Sequence, residues 1–432
     1  MTFTDKEVNK LLNQLLNLHP KKIDLSLDRV YRLLHKLNDP HKKINSPIWV
    51  AGTNGKFSTL KFIQSILNSC KKTTNAYTSP HLVKFNERFE FEDKVVNNHE
   101  LYALIDKVKN INANEEITFF EATNCAFFLG ASKRSVDYNL IEVGLGGRSD
   151  STAVIHPEIS VISSVSMDHQ DFLGDTIEKI AYEKAGIIRE YVPVVIGYQP
   201  FKEAKKVLID YAHSVKAPTW IYDQDFFIFK DKDKLVYEDN DHRLKFDDLI
   251  HHGDLQIKNL GLAIATCLQL YKIEVKSYLQ NNLHQQVILP GRFQKLENNK
   301  LCNLISKQNE LYLDGSHNPD AAYNVNQSLQ ALPKRDLCII IGMLNTKDPS
   351  EYIKQFNNIR EIKTITIDNE DNAISAKELS AKLKKFNIAT SHSNSFEDAI
   401  ETLARKYPTS RILICGSLYL VGQVLKKTKE TL

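Results

Sequence analysis

Short apolar runs rich in β-branched residues alternate along this chain with longer stretches in which apolar residues recur at helical spacing. In the first half of the chain the pattern predicts strands at residues 48–51, 139–143, 159–163 and 192–196. It also predicts helices at residues 56–69 and 177–187. Strands that alternate with helices are typical of parallel βαβ units, so the pattern predicts an α/β fold.

The same alternation restarts in the second half of the chain. The strands predicted there are residues 311–313, 337–342, 364–367 and 411–415. The break before them falls near Leu289, Pro290 and Gly291, so we expect two domains, residues 1–290 and 295–432. Ligand sites often lie between domains, and we therefore expect the active site in the cleft between these two.

Two segments depart from this alternation. Residues 215–250 alternate apolar and charged side chains, and residues 239–241 (Asp-Asn-Asp) are typical of a hairpin turn. This pattern predicts antiparallel strands at the edge of the first domain. The first twenty residues predict a polar amphipathic helix with one apolar face, formed by Leu11, Leu12, Leu15 and Leu16.

Composition narrows the classes of function. The chain has 432 residues, of which 42% are hydrophobic and 25% charged, and this is ordinary globular composition. The net charge is only +3, which disfavours a nucleic-acid binder or a protein of anionic membrane surfaces. We find no transmembrane span and no secretory signal, and the six cysteines form no C-x-x-C pair. Together these features favour reduced thiols in a cytoplasm.

A glycine-rich turn between a predicted strand and a predicted helix has the character of a phosphate loop. Gly52 and Gly55 allow the backbone to wrap a phosphate, and Lys56 supplies positive charge. Ser58 or Thr59 offers a hydroxyl to Mg²⁺. The spacing is shorter than in G-x-x-x-x-G-K-[ST], and the alternative is a solvated turn that only caps the helix.

Four other residues can be interpreted from their local sequence alone. Glu142 ends a predicted buried strand, where a carboxylate is a suitable oxygen ligand for Mg²⁺. His169 has the local setting of an ordinary loop histidine, and Lys184 that of a surface lysine on a helix. Asp314 is either a ligand-binding group at a strand end or the cap of the helix that follows.

Seven further segments accompany the phosphate loop in order along the chain. They are residues 78–88, 142–148, 168–174, 183–187, 290–293, 314–319 and 416–420. Together they resemble the signatures of the ATP-dependent amide ligases of the Mur ligase superfamily, and specifically those of folylpolyglutamate synthases and dihydrofolate synthases. The resemblance spans roughly residues 24 to 422.

The resemblance implies a Mur-ligase-like architecture of two α/β domains, a P-loop ATPase domain followed by a smaller Rossmann-like C-terminal domain. It also implies that ATP is bound by the phosphate loop and by three residues farther along the chain. The full set expected to bind ATP is Gly52, Thr53, Asn54, Gly55, Lys56, Phe57, Ser58, Asn259, Arg292 and Asp314.

The same resemblance implies Mg²⁺ at two sites. The expected metal ligands are Ser58, Ser79, Glu142 and His169. Lys184 matches a lysine that can be carbamylated, and a carbamate is an anion able to bind a second Mg²⁺. Lys56, His169 and Lys184 are therefore the expected catalytic residues. A monovalent cation is a further option as a cofactor.

Two segments resemble the parts of bifunctional bacterial members that contact the pterin. The folate-binding residues expected from them are Asp24, Leu25, Ser26, Leu27, Arg29, Phe120, Glu121, Ala122 and Thr123. The alternative is that Leu25, Leu27 and Val30 anchor the start of a core helix, and both interpretations can hold together. His317 is expected on the side of the site that binds glutamate.

The implied reaction joins L-glutamate to dihydropteroate and extends reduced folates with γ-linked glutamates. The acceptor carboxylate attacks the γ-phosphate of ATP, and the amine of glutamate then displaces phosphate from the acyl phosphate. The expected partners are these small molecules, with no nucleic acid and no membrane, and the expected state is a monomer.

Three alternatives remain open. The first is a folylpolyglutamate synthase without dihydrofolate synthase activity. The second is a cell-wall ligase of the same superfamily, which the short segment before the phosphate loop disfavours. The third is a P-loop nucleotide-binding protein without ligase chemistry.

Phe57 is the departure from the family pattern with the greatest expected effect on rate. Family members usually have glycine between the phosphate-loop lysine and the serine. A bulky residue there either restricts the approach of the backbone to the phosphate or points away from the nucleotide, because a helix begins at this position. A lesser departure is Ser26, which replaces glycine in the pterin segment.

Overall fold

The computed structural model of the protein describes residues 3–19, 24, 26–248, 253–270 and 272–429. The chain forms two compact units. The first comprises Met1–Asp248 and Lys258–Val287, and the second comprises Leu249–Ile257 and Ile288–Leu432.

The first unit is built on an eight-stranded sheet. Its strands are β1 (Pro47–Ala51), β2 (Thr74–Tyr77), β3 (Phe89–Phe91), β4 (Lys94–Val95), β5 (Tyr138–Glu142), β6 (Ile159–Ile162), β7 (Val194–Ile196) and β8 (Thr219–Ile221). Their spatial order is β4-β3-β2-β5-β1-β6-β7-β8. The six strands from β2 to β8 in this order are parallel, while β3 and β4 pair antiparallel. The parallel α/β fold predicted from the sequence is confirmed.

The central strands are buried throughout because helices cover both faces of a parallel sheet. Every residue of β1 and β5 is buried. Trp49, in β1, has no exposed surface, and its indole N–H donates a hydrogen bond to the hydroxyl of Thr152 (3.0 Å). The core of the first unit therefore lies directly beneath the strands that lead into the phosphate loop.

Among the described residues, ten helices belong wholly or in part to the first unit. They are α1 (Asp5–Leu16), α2 (Asp28–Lys36), α3 (Lys56–Ser69), α4 (Asn98–Asn112), α5 (Phe119–Ala131), α6 (Gln170–Leu173), α7 (Ile177–Ala185), α8 (Lys202–Ser214), α9 (Asp254–Leu268) and α10 (Val275–Gln280). The first residues of α9 count with the second unit and the rest with the first. Single 3₁₀ turns lie at Pro40–Lys43, Phe85–Arg88 and Leu283–Gln286.

The N-terminal helix begins at a capping box. The Thr4 hydroxyl accepts from the Glu7 N–H, and the Glu7 carboxylate accepts from the Thr4 N–H. Its buried residues, Val8, Leu11, Leu12 and Leu15, follow the spacing of one helical stripe. The expectation that Leu16 shares this face is wrong: Leu16 is 45% exposed, since the stripe runs through Val8 instead.

A separate antiparallel sheet of three strands follows β8. It contains β9 (Phe226–Asp231), β10 (Lys234–Asp239) and β11 (Arg243–Asp247), in the order β11-β10-β9. The chain reverses between Asp239 and Arg243, at the predicted hairpin turn. The predicted antiparallel strands are therefore confirmed, in a sheet distinct from the parallel one.

The second unit has a six-stranded sheet with the order β12-β13-β17-β14-β15-β16. The strands are β12 (Gln294–Lys295), β13 (Glu310–Leu313), β14 (Leu337–Ile341), β15 (Ile359–Thr364), β16 (Ala389–His392) and β17 (Arg411–Cys415). All pairings are parallel except that of β12 with β13. The helices are α11 (Pro319–Gln330), α12 (Pro349–Ile353), α13 (Ala376–Leu383), α14 (Phe396–Lys406) and α15 (Leu418–Lys429), with 3₁₀ turns at Lys300–Leu304 and Lys384–Phe386.

One predicted strand of the second unit is misplaced. Residues 364–367 were expected to form it, but β15 ends at Thr364. The true strand is obscured in the sequence by its charged residues. Glu361 is only 5% exposed in β15, because its carboxylate accepts hydrogen bonds from Lys406 and from the hydroxyl of Tyr407 (3.1 Å). Ion pairing thus places a charged residue where an apolar pattern was expected.

Candidate functional site

Four neighbouring parallel strands bring the predicted phosphate and metal residues to one edge of the first sheet. The strands are β2, β5, β1 and β6, and their carboxyl ends point the same way. Ser79 follows β2, Glu142 ends β5, the phosphate loop follows β1, and His169 follows β6. Glu142 lies in register with Val50, two residues before Gly52. This edge is where open α/β sheets bind ligands.

The two glycines of the phosphate loop have neighbours that exclude any side chain. A Cβ on Gly52 would lie 1.9 Å from the Ser163 Oγ, and a Cβ on Gly55 would lie 2.4 Å from the Asn259 Oδ1. Gly55 also has a φ of +91°, which favours glycine. Asn259, one of the residues expected to bind ATP, is therefore packed directly against the phosphate loop.

Backbone hydrogen bonds fasten the loop to the segment after β6. The Ser164 carbonyl accepts from the N–H groups of Thr53 (2.7 Å) and Asn54 (3.3 Å). The Thr53 hydroxyl donates to the Ser166 carbonyl (3.1 Å) and accepts from the Ser166 N–H (3.0 Å). Since these bonds hold the loop from one side, its conformation is set before any ligand binds.

Gln199 supports this segment in turn and was not found from the sequence. Its side-chain amide donates to the Ser163 carbonyl (2.9 Å), and its carbonyl oxygen accepts from the Val165 N–H (3.0 Å). The two bonds flank Ser164, the residue that holds the phosphate loop. Nothing in the local sequence signals this role, because the partners lie more than thirty residues away.

The start of α3 offers groups suited to a phosphate and a cation. Gly55 precedes the helix without a side-chain cap, so the first N–H groups of this 14-residue helix point toward the loop. The hydroxyl oxygens of Ser58 and Thr59 are buried and have no hydrogen-bond partner among the described residues. Buried polar atoms are normally paired. The residues at this helix start therefore fit a bound phosphate with its magnesium ion.

Two lysines converge on the same loop. The Nζ of Lys56 lies 3.1 Å from the Gly52 carbonyl oxygen, and the Nζ of Lys184 lies 2.9 Å from it. Lys184 is 4% exposed, so its interpretation as a surface lysine is wrong. Burial, and secondarily the positive charge of Lys56, lowers the pKa of Lys184 to about 7. A substantial fraction of Lys184 is therefore a neutral amine at neutral pH.

Two of the predicted metal ligands, Glu142 and His169, come at or after the ends of β5 and β6, the strands on either side of β1. The Glu142 carboxylate is 2% exposed and accepts a hydrogen bond from the Ser79 N–H (3.0 Å). His169 precedes α6 with a φ of +51°, and its N–H donates to the Asp168 carboxylate (2.8 Å). No three His, Cys, Asp or Glu residues in the described ranges form a cluster able to hold a metal. Mg²⁺ commonly takes one or two carboxylates and completes its shell with substrate phosphates, which matches this donor set.

A buried carboxylate organises the loop after β5 and was also missed. Asp150 accepts hydrogen bonds from the N–H groups of Gly144 (3.1 Å), Leu145 (2.9 Å) and Thr152 (2.9 Å). Burial raises the pKa of Asp150. Its place six residues after Gly144 was the available signal, because a short acidic side chain in a glycine-rich loop often caps its own backbone.

The two segments expected to bind the pterin meet through an ion pair. Arg29 on α2 contacts both oxygens of Glu121 on α5, with Nε–Oε2 at 3.0 Å and Nη2–Oε1 at 2.8 Å. Its remaining Nη1 donates to the Asp24 carboxylate (3.0 Å). Both carboxylates thus pair with the guanidinium of Arg29. These ion pairs orient the two segments toward each other.

The other residues of this expected set are placed as follows. Phe120 packs against the loop after β5, since a Cβ on Gly144 would lie 2.1 Å from its ring. Ala122 and Thr123 are fully buried in α5. The Ser26 hydroxyl accepts weakly from the Asp28 N–H (3.4 Å), and Leu27 precedes α2 and packs on the core. Leu25 lies outside the described residues.

The ring of Phe57 lies on the face of α3 that Lys61 occupies. The Lys61 Nζ is 5.8 Å from the ring centroid, within cation–π range. Lys61 also forms an ion pair with Glu90 on β3. Phe57 therefore lies on the helix face turned toward β3. This placement favours the interpretation in which the side chain points away from the nucleotide.

In the second unit, Arg292, Asp314 and His317 are close together around the end of β13. The Asp314 carboxylate accepts from the N–H groups of Phe293 (2.6 Å) and Ser316 (2.7 Å), and burial raises its pKa. The guanidinium of Arg292 lies beside Gly315, and the charge of Arg292 opposes the rise in the pKa of Asp314. The His317 Nδ1 lies 2.8 Å from the Gly315 carbonyl, so Nδ1 carries the proton.

The cap of α11 is Asn318, whose side chain accepts from the Ala321 N–H (2.9 Å). The alternative interpretation of Asp314 as that cap is therefore wrong.

Among the described residues, no helix is long and apolar enough to span a membrane. The six cysteines are all free.

Comparison with protein families gives two matches. Residues 50–267 match the Mur ligase middle domain, and residues 297–427 match the C-terminal domain of dihydrofolate synthetase. The chain is 31% identical over 429 residues to a dihydrofolate synthase/folylpolyglutamate synthase of Bacillus subtilis, covering 93% of this chain and 95% of that protein. It is 28% identical over 425 residues to the Escherichia coli protein of the same name, covering 96% and 94%.

Solved structures agree with these sequence matches. E. coli FolC in complex with DHPP and ADP has a TM-score of 0.85 at 25% identity, over 97% of each chain. A bifunctional folylpolyglutamate synthase/dihydrofolate synthase with Mn, AMPPNP and L-glutamate bound has a TM-score of 0.82 at 25% identity, over 99% of each chain.

Proposed function

The chain belongs to the Mur ligase family and, within it, to the dihydrofolate synthase/folylpolyglutamate synthase group, and we propose how its own residues perform that group's reaction. It is an ATP-dependent ligase that joins L-glutamate to folates through an amide bond. Its acceptors are dihydropteroate, which becomes a dihydrofolate, and reduced folates, which gain γ-linked glutamates.

The observation that carries this proposal is the set of groups around the Gly52 carbonyl. The Lys56 ammonium group, an uncapped helix start and the buried Ser58 hydroxyl all surround one glycine-lined loop. A phosphate chain satisfies each of them at once. The proposed ATP-binding residues of the first unit are therefore Gly52, Thr53, Asn54, Gly55, Lys56, Phe57, Ser58 and Asn259, with Phe57 contributing through its backbone.

Magnesium, when bound, supplies positive charge against the phosphates, and we propose that Ser58, Ser79, Glu142 and His169 hold it. In our proposal Lys56 leaves the Gly52 carbonyl and binds the transferring phosphate, where it offsets developing negative charge. The loop needs no rearrangement for this step, because Ser164 and Ser166 already hold it. The acceptor carboxylate becomes an acyl phosphate, from which the amine of glutamate displaces phosphate.

Lys184 is proposed to act as a carbamate. A neutral buried amine reacts with CO₂ by forming a C–N bond and releasing a proton, and its product is an anion. The negative charge of the carbamate replaces the repulsion between Lys184 and Lys56 with an attraction. The carbamate oxygens also supply ligands for a second Mg²⁺. Burial at 4% exposure and the pKa of about 7 support this role.

The acceptor and glutamate sites are proposed from the two remaining groups of residues. Asp24, Leu25, Ser26, Leu27 and Phe120 are proposed to contact the pterin. Arg29, Glu121, Ala122 and Thr123 are proposed to form the frame of that site, since the ion pair occupies Arg29 and the others are buried. Arg292 and Asp314 are proposed for ATP, and His317 for L-glutamate.

Phosphate release by the purified protein tests the proposal. The assay contains Mg-ATP and L-glutamate with either dihydropteroate or tetrahydrofolate. Release with both acceptors supports the bifunctional enzyme, and release with tetrahydrofolate alone identifies a folylpolyglutamate synthase. Binding of ATP without acceptor-dependent release would favour the nucleotide-binding protein and contradict the ligase.

A pair of lysines on α3 provides the matched control. Lys56→Met should abolish release, whereas Lys61→Met, five residues farther along the same helix, should retain it because Lys61 pairs with Glu90. We also infer a monomer, as the family resemblance implies, and a cytoplasmic location, as the pattern of the cysteines favours. Light scattering on the purified protein and fractionation of cells that produce it test these two points.

A further inference from the structure

A buried tyrosine joins the two loops that follow the central strands of the second unit. Tyr352, on α12, has no exposed surface, and its hydroxyl lies 2.8 Å from the Ser316 Oγ. It also contacts the thiol of Cys415, the last residue of β17. A phenol hydroxyl that is buried away from water destabilises the folded protein unless it forms hydrogen bonds such as these.

Ser316 is the residue at which these two loops are joined. Its N–H donates to the Asp314 carboxylate (2.7 Å), and its carbonyl accepts from the Gly416 N–H (3.0 Å). His317 follows directly, with its Nδ1–H donated to the Gly315 carbonyl (2.8 Å). A displacement of Ser316 therefore moves the backbone that carries His317.

We propose that Tyr352 is a positioning residue for L-glutamate, which acts by holding the Ser316 hydroxyl and so fixing the backbone at His317. The inference rests on the proposed function, which assigns L-glutamate to His317. Asp314 depends less on Tyr352, because the Phe293 N–H holds its carboxylate separately (2.6 Å). Loss of the tyrosine hydroxyl should therefore affect glutamate more than ATP.

Kinetics of two single variants and their combination test this assignment. In Tyr352→Phe the KM for L-glutamate should rise about threefold to tenfold, the effect expected for one hydrogen bond. The KM for ATP and kcat should change by less than about twofold. Ser316→Ala should give the same selective rise. The double variant should be no worse than Tyr352→Phe alone, because that variant has already lost the contact with Ser316.

Tyr407→Phe is the matched control within the same unit. Tyr407 also loses one hydroxyl and one hydrogen bond, to the Glu361 carboxylate (3.1 Å) in β15. It should keep the wild-type KM for glutamate even where its melting temperature falls. A selective rise in Tyr352→Phe but not in Tyr407→Phe separates positioning from a general loss of stability.

The inference is overturned if Tyr352→Phe lowers the melting temperature and leaves the KM for glutamate unchanged. Should that variant fail to fold, Ser316→Ala decides alone, since it removes the same bond from the loop side. A wild-type protein without glutamate-dependent phosphate release would contradict the proposed function itself. An active wild type with an equal KM in every variant would contradict only the role of Tyr352.

Discussion

Lys184 and Lys56 share a single hydrogen-bond acceptor, the carbonyl oxygen of Gly52. Two ammonium groups on one oxygen repel each other, and Lys184 is in addition shielded from water. Loss of a proton from Lys184 relieves both costs, which accounts for a pKa of about 7. Lys184 thus borders the phosphate loop as a lysine that readily becomes neutral.

Lys184→Met should lower turnover by at least about 100-fold, as expected for loss of a group that stabilises charge in the reacting complex. Wild-type turnover should fall in CO₂-depleted buffer and return with bicarbonate, and the variant should not respond. A ¹³C NMR signal from labelled bicarbonate should appear in the wild type only. Full turnover in the variant, or in CO₂-free buffer, would contradict the carbamate.

The same lysine gives stability a pH dependence. The pKa of Lys184 is lower in the folded protein than its ordinary value of 10.5, so the unfolded state binds more protons above about pH 7. The cost of burying Lys184 is therefore greatest at and below about pH 7 and falls as the pH rises. The free energy of unfolding in urea should be higher for Lys184→Met than for the wild type. This difference should be largest at pH 6 and smaller at pH 9. An equal gain at both pH values would show that Lys184 does not titrate in this range.

Phe57→Gly should not improve the enzyme, although glycine is the usual family residue there. The ring lies on the face of α3 with Lys61, which pairs with Glu90 on β3, and glycine in a helix costs about 0.5–1 kcal/mol. We expect an unchanged KM for ATP, within about twofold, and a lower melting temperature. Phe57→Ala serves as the control that keeps helix propensity. A large fall in the KM for ATP with glycine would show that the ring restricts the nucleotide.

Arg29→Met should destabilise the protein by about 3 kcal/mol, because Glu121 would remain buried without its ion-pair partner. Arg32→Met is the matched control on the same helix. Its ion pair with Glu115 is exposed, and its loss should cost less than about 1 kcal/mol. Urea unfolding measures both. The KM for dihydropteroate should rise only in Arg29→Met, and equal effects from the two variants would refute the framing role of Arg29.

Asp150→Asn should loosen the loop after β5. The amide of asparagine has one acceptor oxygen, whereas both carboxylate oxygens of Asp150 accept backbone N–H groups. One side therefore loses its acceptor, and we expect a loss of about 1–3 kcal/mol. Asp137→Asn, at a half-exposed position, should cost less. Since Phe120 packs on Gly144, the KM for dihydropteroate should rise in Asp150→Asn. An unchanged melting temperature and KM would contradict this account.

Much of the fold could be predicted because local pattern and tertiary structure agree in the central strands. Residues 48–51 and 411–415 form strands, and residues 56–69 form a helix, within one residue of the predicted bounds. Buried parallel strands are apolar along their whole length, so their signal does not depend on distant partners. The edge at which Glu142 and the phosphate loop meet follows from that regularity.

The remaining features depend on contacts between residues far apart in sequence. Gln199 and Tyr352 contribute single side chains to loops that begin elsewhere, and no periodicity records such contacts. Lys184 could not be recognised as buried from α7 alone, because its acceptor, Gly52, comes 132 residues earlier. Strand β15 was obscured for a related reason, since Glu361 finds its partners in and beside α14.

The position of β17 has a consequence for how the second unit forms during synthesis. Of the six described strands in this sheet β17 is synthesised after the other five, yet it lies between β13 and β14 and pairs with both. Until it leaves the ribosome, the earlier strands have no neighbour at the centre, and two apolar half-sheets stay exposed. Long-range pairing of this kind slows folding and leaves chains open to aggregation. The loop that carries Asp314 and His317 can thus be completed only after β17 has been synthesised.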